Sequence, residues 1–141
     1  MSQFRFYHPI EVRYGDLDPQ GHVNNAKYLT YFEQARVAYW IDMGFFSKDQ
    51  SFMELGVILA DVHITYFKPI YFGQNIKVGV HIAKLGQKSM IWEQNVIDVE
   101  SGQEIAKGEI VIVAYDYKKE VTIPIPQEWR EKITAFEGLN V

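Results

Sequence analysis

The chain contains no cysteine. That absence excludes disulfides, thiolate catalysis and cysteine-held zinc or iron–sulfur centres. Its four histidines, His8, His22, His63 and His81, fall in neither an H-x-x-x-H nor an H-x-H spacing, so no metal site and no cofactor is expected. There is no G-x-S-x-G elbow and no G-x-x-x-x-G-K or G-x-G-x-x-G loop, which removes serine-hydrolase, P-loop and dinucleotide chemistry. Basic residues are scattered and outnumbered, 14 against 18 acidic ones for a net charge of −4, so the electrostatic footprint of a nucleic-acid binder is missing. No run approaches the ~20 apolar residues of a membrane span. The opening Met-Ser-Gln-Phe-Arg-Phe lacks the apolar core of a signal peptide, and a cytoplasmic setting is expected.

Aromatic residues, by contrast, make up 15% of the 141 residues, enough for a well-filled core or an apolar pocket. The length fits one domain over 1–141. A loosely alternating run, Phe4 to Tyr14, ends at Gly15 and reads as a first strand. From Ala26 to Met43 the pattern turns helical, with Tyr28, Tyr31, Phe32, Ala35, Ala38 and Tyr39 on one face and Gly44 as the stop. Val37, Trp40 and Ile41 make the other side apolar too, so burial on more than one side is expected. Ser47–Leu55 reads as a short capped turn of helix. Four strands follow, Val57–Phe67, Asn75–Leu85, Ser89–Val99 and Glu104–Tyr115, the last three joined by hairpin-length turns into an antiparallel meander. Gln127–Phe136 closes the chain as an amphipathic segment.

The most informative stretch runs from Arg13 to Tyr28. Asp16 and Asp18 sit in a loop punctuated by Pro19 and Gly21, followed by Asn24 and Asn25 and then the long helix. Asp18 therefore precedes a helix N-terminus, where backbone N–H groups lack partners and the helix dipole is positive. A carboxylate facing a donor that polarises a carbonyl is what hydrolysis of an activated acyl group requires. The same Asp serves equally as an Asx-turn former ahead of Pro-x-Gly, and Asn24 or Asn25 as a simple N-cap. Asp16 reads as a turn former or a charge near the site.

This run, Asp-Leu-Asp-Pro-Gln-Gly-His, resembles the signature of the hotdog-fold thioesterases of the 4-hydroxybenzoyl-CoA thioesterase type, and the resemblance extends over essentially the whole chain. It implies an α+β hotdog fold, a five-stranded antiparallel sheet in the order 1-3-4-5-2 wrapped around one long central helix. It implies dimers joined edge to edge through the second strand, or tetramers. It also implies hydrolysis of an acyl-CoA to free acid and CoA, with Asp18 as nucleophile or general base and the Asn25 N–H as oxyanion donor. His-Val-Asn-Asn is similar as well to plant acyl-ACP thioesterases, although Gln20 replaces their Asn. An acyl-ACP substrate, or a non-catalytic acyl- or CoA-binding role, stays open on these residues.

Other residues carry two readings each. His22 is a catalytic helper or a loop histidine bonded to backbone, and Tyr28 lines an acyl pocket or fills the core. Glu33 and Arg36, three apart on the helix, read as an ion pair. Asp61 and His63 share one face of the second strand, as the polar side of an edge or as groups reaching a partner's Asp18 loop. Lys88-Ser89, with Lys84, Gln87 and Lys68 nearby, matches an element that holds the coenzyme A nucleotide in the resembled family, and lysines in turns are also simply solvated.

Overall fold

Turn residues and strand alternation fix the elements of this chain close to where the sequence places them. In the computed structural model, which describes residues 4–139, the strands are β1 (Phe6–Ile10), β2 (Val57–Tyr66), β3 (Ile76–Leu85), β4 (Ser89–Asp98), β5 (Glu104–Asp116) and β6 (Val121–Thr122). The helices are α1 (Lys27–Asp42) and α2 (Gln127–Glu137). The sheet is antiparallel in the order β1-β3-β4-β5-β2, and the short β6 adds to β5. Register shifts at Leu59/Asp61, Ile82/Lys84 and Val96/Ile97 are the kind of irregularity that bends and coils a sheet.

Three expectations change. The first strand is five residues long because β3, its only partner, begins opposite Ile10 at Ile76, leaving the chain beyond with nothing to pair. The sheet gains β6, and a second helix packs on β3. The long helix is not buried all round. Its buried side chains, Tyr28, Tyr31, Phe32, Ala35, Arg36, Tyr39 and Trp40, form a single 3-4 stripe. Leu29, Thr30, Glu33 and Gln34 face solvent. Trp40 belongs to the core side and Ala38 is only half-buried.

Local chemistry ends α1 cleanly. Gly44 takes φ 82°, its N–H bonds to Ile41 O, and the Phe45 N–H bonds to Trp40 O at 3.0 Å. This is the Schellman closure, completed by contact of the Phe45 and Trp40 rings, 5.5 Å between centroids. Trp40 also packs on Trp92 and Trp129, and Tyr39 on Trp92, so much of the aromatic content fills the seam between α1, α2 and β4. On β5, Gly108 leaves room for the Phe32 ring of α1. A Cβ there would lie 2.6 Å from the Phe32 ring. Among the described residues no helix is long and apolar enough to cross a membrane.

A buried carboxylate fastens α2. Glu137 accepts from the Tyr39 hydroxyl at 2.7 Å, the Ile82 N–H at 3.0 Å and His81 Nδ1 at 2.8 Å. It occupies the edge of β3 beyond the reach of β1, where Ile82 has no neighbouring strand on that side. Burial first, and the Glu137 charge next, push the Tyr39 phenol upward. Glu137→Ala strands two buried donors, at about 1–3 kcal/mol each. Thermal melting is expected to show Tm lower by about 10 °C, with Glu137→Gln, which keeps an acceptor oxygen, costing less than half as much.

Candidate active site

The loop between β1 and α1 is a small antiparallel ladder. Leu17 and Val23 form a bridge, the Asp18 N–H bonds to His22 O at 2.9 Å and the Asn24 N–H to Asp16 O at 2.8 Å. Its tip is the turn Asp18-Pro19-Gln20-Gly21, closed by the Gly21 N–H on Asp18 O at 3.0 Å. Pro19 presets φ for the second turn position, and Gly21 takes φ 88°, outside what a side chain tolerates well. The Val23 N–H bonds to Ile70 O at 2.8 Å, which pins the ladder to the chain leaving β2.

The two aspartates, only two residues apart, have opposite fates. Asp16 is fully buried. Its carboxylate accepts from the Arg13 N–H and guanidinium, both at 3.0 Å, and from the Tyr31 hydroxyl at 2.7 Å. Burial works to raise its pKa, and the bonds from Arg13 and Tyr31 with the Arg13 charge more than reverse this, leaving it below the ordinary value. Asp16 is thus the anchor that ties the loop to α1. Asp18 keeps a 15% exposed side chain. Its Oδ1 accepts from the Gln20 N–H at 2.9 Å, the Asx turn anticipated above, and Oδ2 accepts no hydrogen bond among the described residues. His22 Nδ1 stands 3.8 Å from that oxygen and bonds to Val23 O at 3.3 Å when it carries the proton.

Neither Asn is the N-cap of α1, which is Ala26 without a side-chain bond; Asn24 forms the turn ahead of it. Its side chain accepts from the Ala26 N–H at 2.9 Å and its carbonyl from the Lys27 N–H at 2.9 Å, so regular helix starts at Lys27. With those donors taken, the Asn25 N–H is left at the start of α1 without an acceptor among the described residues. Its carbonyl is held from below by the Tyr66 hydroxyl at 3.2 Å. Tyr28 lies beneath, its ring edge-on to Tyr66 at 4.8 Å and its hydroxyl 3.4 Å from Lys68 O. Burial, with the Tyr66 neighbour, pushes the Tyr28 phenol up to about 12, so it stays a neutral donor. Tyr66 was missed from sequence, because only the return of β2 to the head of α1 gives it this task.

The remaining candidates do not join this cluster within one chain. Ser89 pairs with Val113 on β5, whereas Tyr66 pairs with Ala106. Seven residues of strand, ~24 Å, separate Lys88-Ser89 from the Asp18 end, and Lys88 bonds to Thr122. His63 alternates with the core-packed Val62 and Ile64 and so points to the face away from α1. There it lines a cleft of about 550 Å³ with Thr65, Glu93, Lys107 and Glu109. A second cleft, about 380 Å³, lies by Pro9, Arg13, Thr30 and Tyr31. Neither is lined by Asp18 or Asn25. The expected Glu33–Arg36 pair is absent among the described ion pairs. Arg36 is buried and donates to Gln94 Oε1 at 2.9 Å, whose amide holds Phe32 O at 3.1 Å. Removal from water, the larger effect, lowers the Arg36 pKa to about 10 against the raising influence of Glu33. No group of three or more His, Asp or Glu among the described residues could hold a metal ion.

An antiparallel sheet in this strand order, carrying a long helix whose head meets an acidic turn, defines the hotdog class. The chain belongs to the Thioesterase-like superfamily, which it matches over residues 12–133. It is similar to a thioesterase from Thermus thermophilus, solved in complex with coenzyme A and zinc, with 35% identity, full coverage of both chains and a TM-score of 0.85. The PA5185 protein of Pseudomonas aeruginosa PAO1 is 31% identical over 95% of this chain and 92% of its own, with a TM-score of 0.81. The long-chain acyl-CoA thioesterase FadM of Escherichia coli K12 is 29% identical over 129 residues, 88% of this chain and 93% of that protein. The similarity to plant acyl-ACP thioesterases is not borne out by these relatives.

Proposed function

We propose that this chain hydrolyses acyl-CoA thioesters, with Asp18 as nucleophile or general base and the Asn25 N–H as oxyanion donor. The observation that carries the reading is an open Asp18 oxygen at one end of a short ladder and an open Asn25 N–H just beyond its other end. In-line attack at about 3 Å, a carbonyl bond and a hydrogen bond together span roughly 7 Å between attacking oxygen and donor nitrogen.

In the nucleophilic route, Oδ2 adds to the thioester carbon and the oxyanion rests on the Asn25 N–H. CoA leaves as thiolate, and water cleaves the mixed anhydride to return the carboxylate. In the general-base route, Asp18 takes a proton from water, which attacks directly. Either way the amide donor contributes about 3–4 kcal/mol in the transition state. His22 holds the turn that aims Asp18, and Tyr28 with Tyr66 floors the carbonyl site. Residues 1–141 act as one domain in the cytoplasm, as a homodimer or homotetramer. Lys88 and Ser89 then bind coenzyme A, and His63 approaches the thioester, only from a neighbouring copy.

An acyl-CoA panel from acetyl to palmitoyl with benzoyl types, read by free-thiol release, tests the reading. Turnover with at least one substrate is expected. Tight binding of every acyl-CoA without thiol release would establish a binding protein instead, and selective turnover of acyl-ACP over the matching acyl-CoA would reassign the carrier.

A further inference from the structure

Asn25, which carries the open N–H, lies between two regular structures. The ladder ends where the Asn24 N–H meets Asp16 O, and regular helix begins at Lys27. On one side of Asn25, the Asn24 carbonyl accepts from the Lys27 N–H at 2.9 Å. On the other side its own carbonyl is poorly served by the helix. The Tyr28 N–H reaches Asn25 O at 3.4 Å, beyond the usual range of about 2.7–3.2 Å for such a bond. The shorter bond comes from the sheet. The Tyr66 hydroxyl, 41 positions away, donates to Asn25 O at 3.2 Å.

Tyr66 is itself held firmly. Its backbone pairs with Ala106 at the end of β2. Just beyond, Ile105 O accepts from both the Phe67 N–H at 2.8 Å and the Lys68 N–H at 3.2 Å. The Tyr66 ring stands edge-on to the buried Tyr28, 4.8 Å between centroids. Folding, however, has little need of the hydroxyl. Tyr66 is 45% exposed, so water takes over Asn25 O when the hydroxyl is removed, at little net cost. Water satisfies that carbonyl without fixing where the residue points. An oxyanion donor works because it is aimed before the charge develops. A hydroxyl that adds little to stability and ties the donor residue to the sheet therefore acts on the reaction.

We infer that Tyr66 is a positioning residue of the reaction, its hydroxyl aiming the Asn25 N–H at the thioester carbonyl oxygen through its bond to Asn25 O. The inference rests on the acyl thioester reading of Asp18 and Asn25. Tyr66→Phe removes the hydroxyl and nothing else. Its kcat on the best acyl-CoA falls about 10- to 100-fold, the scale of a misplaced reacting group, while KM and Tm stay near wild type. A trifluoromethyl ketone analogue of the acyl-CoA, whose adduct carries the oxyanion, loses affinity by a similar factor. A CoA thioether, which has no carbonyl, binds as before. Tyr117→Phe is the matched control. Its hydroxyl also donates to a backbone carbonyl, Val57 O at 2.5 Å, at the opposite end of β2, and its loss leaves kcat unchanged.

Nuclear magnetic resonance reads the same brace without any substrate. The Asn25 amide resonance moves in Tyr66→Phe, and those of Asp18 and Val23 in the ladder stay in place. An unmoved Asn25 resonance overturns the inference, as does a fall in kcat smaller than tenfold. A raised KM with kcat intact would make Tyr66 a substrate contact and overturn it too. So would equal weakening of ketone and thioether binding with a lowered Tm, which assigns the hydroxyl to folding. An active Asp18→Asn refutes the catalytic reading alone, and the Asn25 resonance still decides whether Tyr66 aims that residue.

Discussion

Asp18→Asn is expected to lower kcat by roughly 10²- to 10⁴-fold, the range for loss of a general base and a floor for loss of a nucleophile. KM changes little, because binding rests on contacts to the acyl chain and to CoA, which the substitution leaves in place. The amide keeps the shape of the turn. Its oxygen still accepts from the Gln20 N–H, the only hydrogen bond the carboxylate makes among the described residues, so circular dichroism and Tm stay near wild type. What disappears is the charge on Oδ2. A variant that retains more than a tenth of the wild-type kcat on the best acyl-CoA would leave Asp18 a turn former, and the reactive group would have to be sought elsewhere.

Asp16→Ala inverts that outcome. Its carboxylate is fully buried and satisfies the Tyr31 hydroxyl and the Arg13 N–H. Removing it strands both, at about 2–4 kcal/mol in total. The Arg13 guanidinium adds little, because its side chain is 66% exposed and screened by water. Differential scanning calorimetry should therefore show a large loss of stability, with kcat per folded molecule reduced far less than in Asp18→Asn. The pH dependence carries the same signature. Since the folded-state pKa of Asp16 is depressed, its contribution is present above the ordinary carboxylate value near 4. It is lost as pH falls through the lower folded value. Asp16→Asn keeps acceptor atoms without the proton linkage, so its stability declines less steeply on that acid limb. Equal acid sensitivity in Asp16→Asn and wild type would assign the acid limb to other carboxylates.

The division between these aspartates shows where reading the sequence stopped. Both sit in one acidic run, and the Pro-x-Gly that follows Asp18 marks it as the turn former without saying that Asp16 is the buried one. Burial of Asp16 depends on Tyr31, fifteen positions on, whereas the turn over Pro19–Gly21 engages only Oδ1 of Asp18, through the Gln20 N–H. Arg36 tells the same story. Its spacing from Glu33 is right for an ion pair, yet Gln94 of β4 lies opposite on the sheet and takes the guanidinium.

By itself the sequence determined what local physics decides. Period-2 runs bounded by Gly and Pro gave β2 to β5 almost to the residue, the 3-4 spacing gave α1, and Gly44 ended it in the left-handed turn it alone tolerates easily. The Asp-Pro-x-Gly turn followed by an Asn pair placed an acid beside a helix head. Only the folded structure decided which donor there stays open, because Asn24 spends its side chain and carbonyl on the N–H groups of Ala26 and Lys27 and leaves that of Asn25. It also decided that Lys88 and Ser89 lie a strand's length from Asp18, and that His63 faces away from α1. Strand order and pleat set both. They arise from pairings between segments tens of residues apart, and no local pattern encodes them.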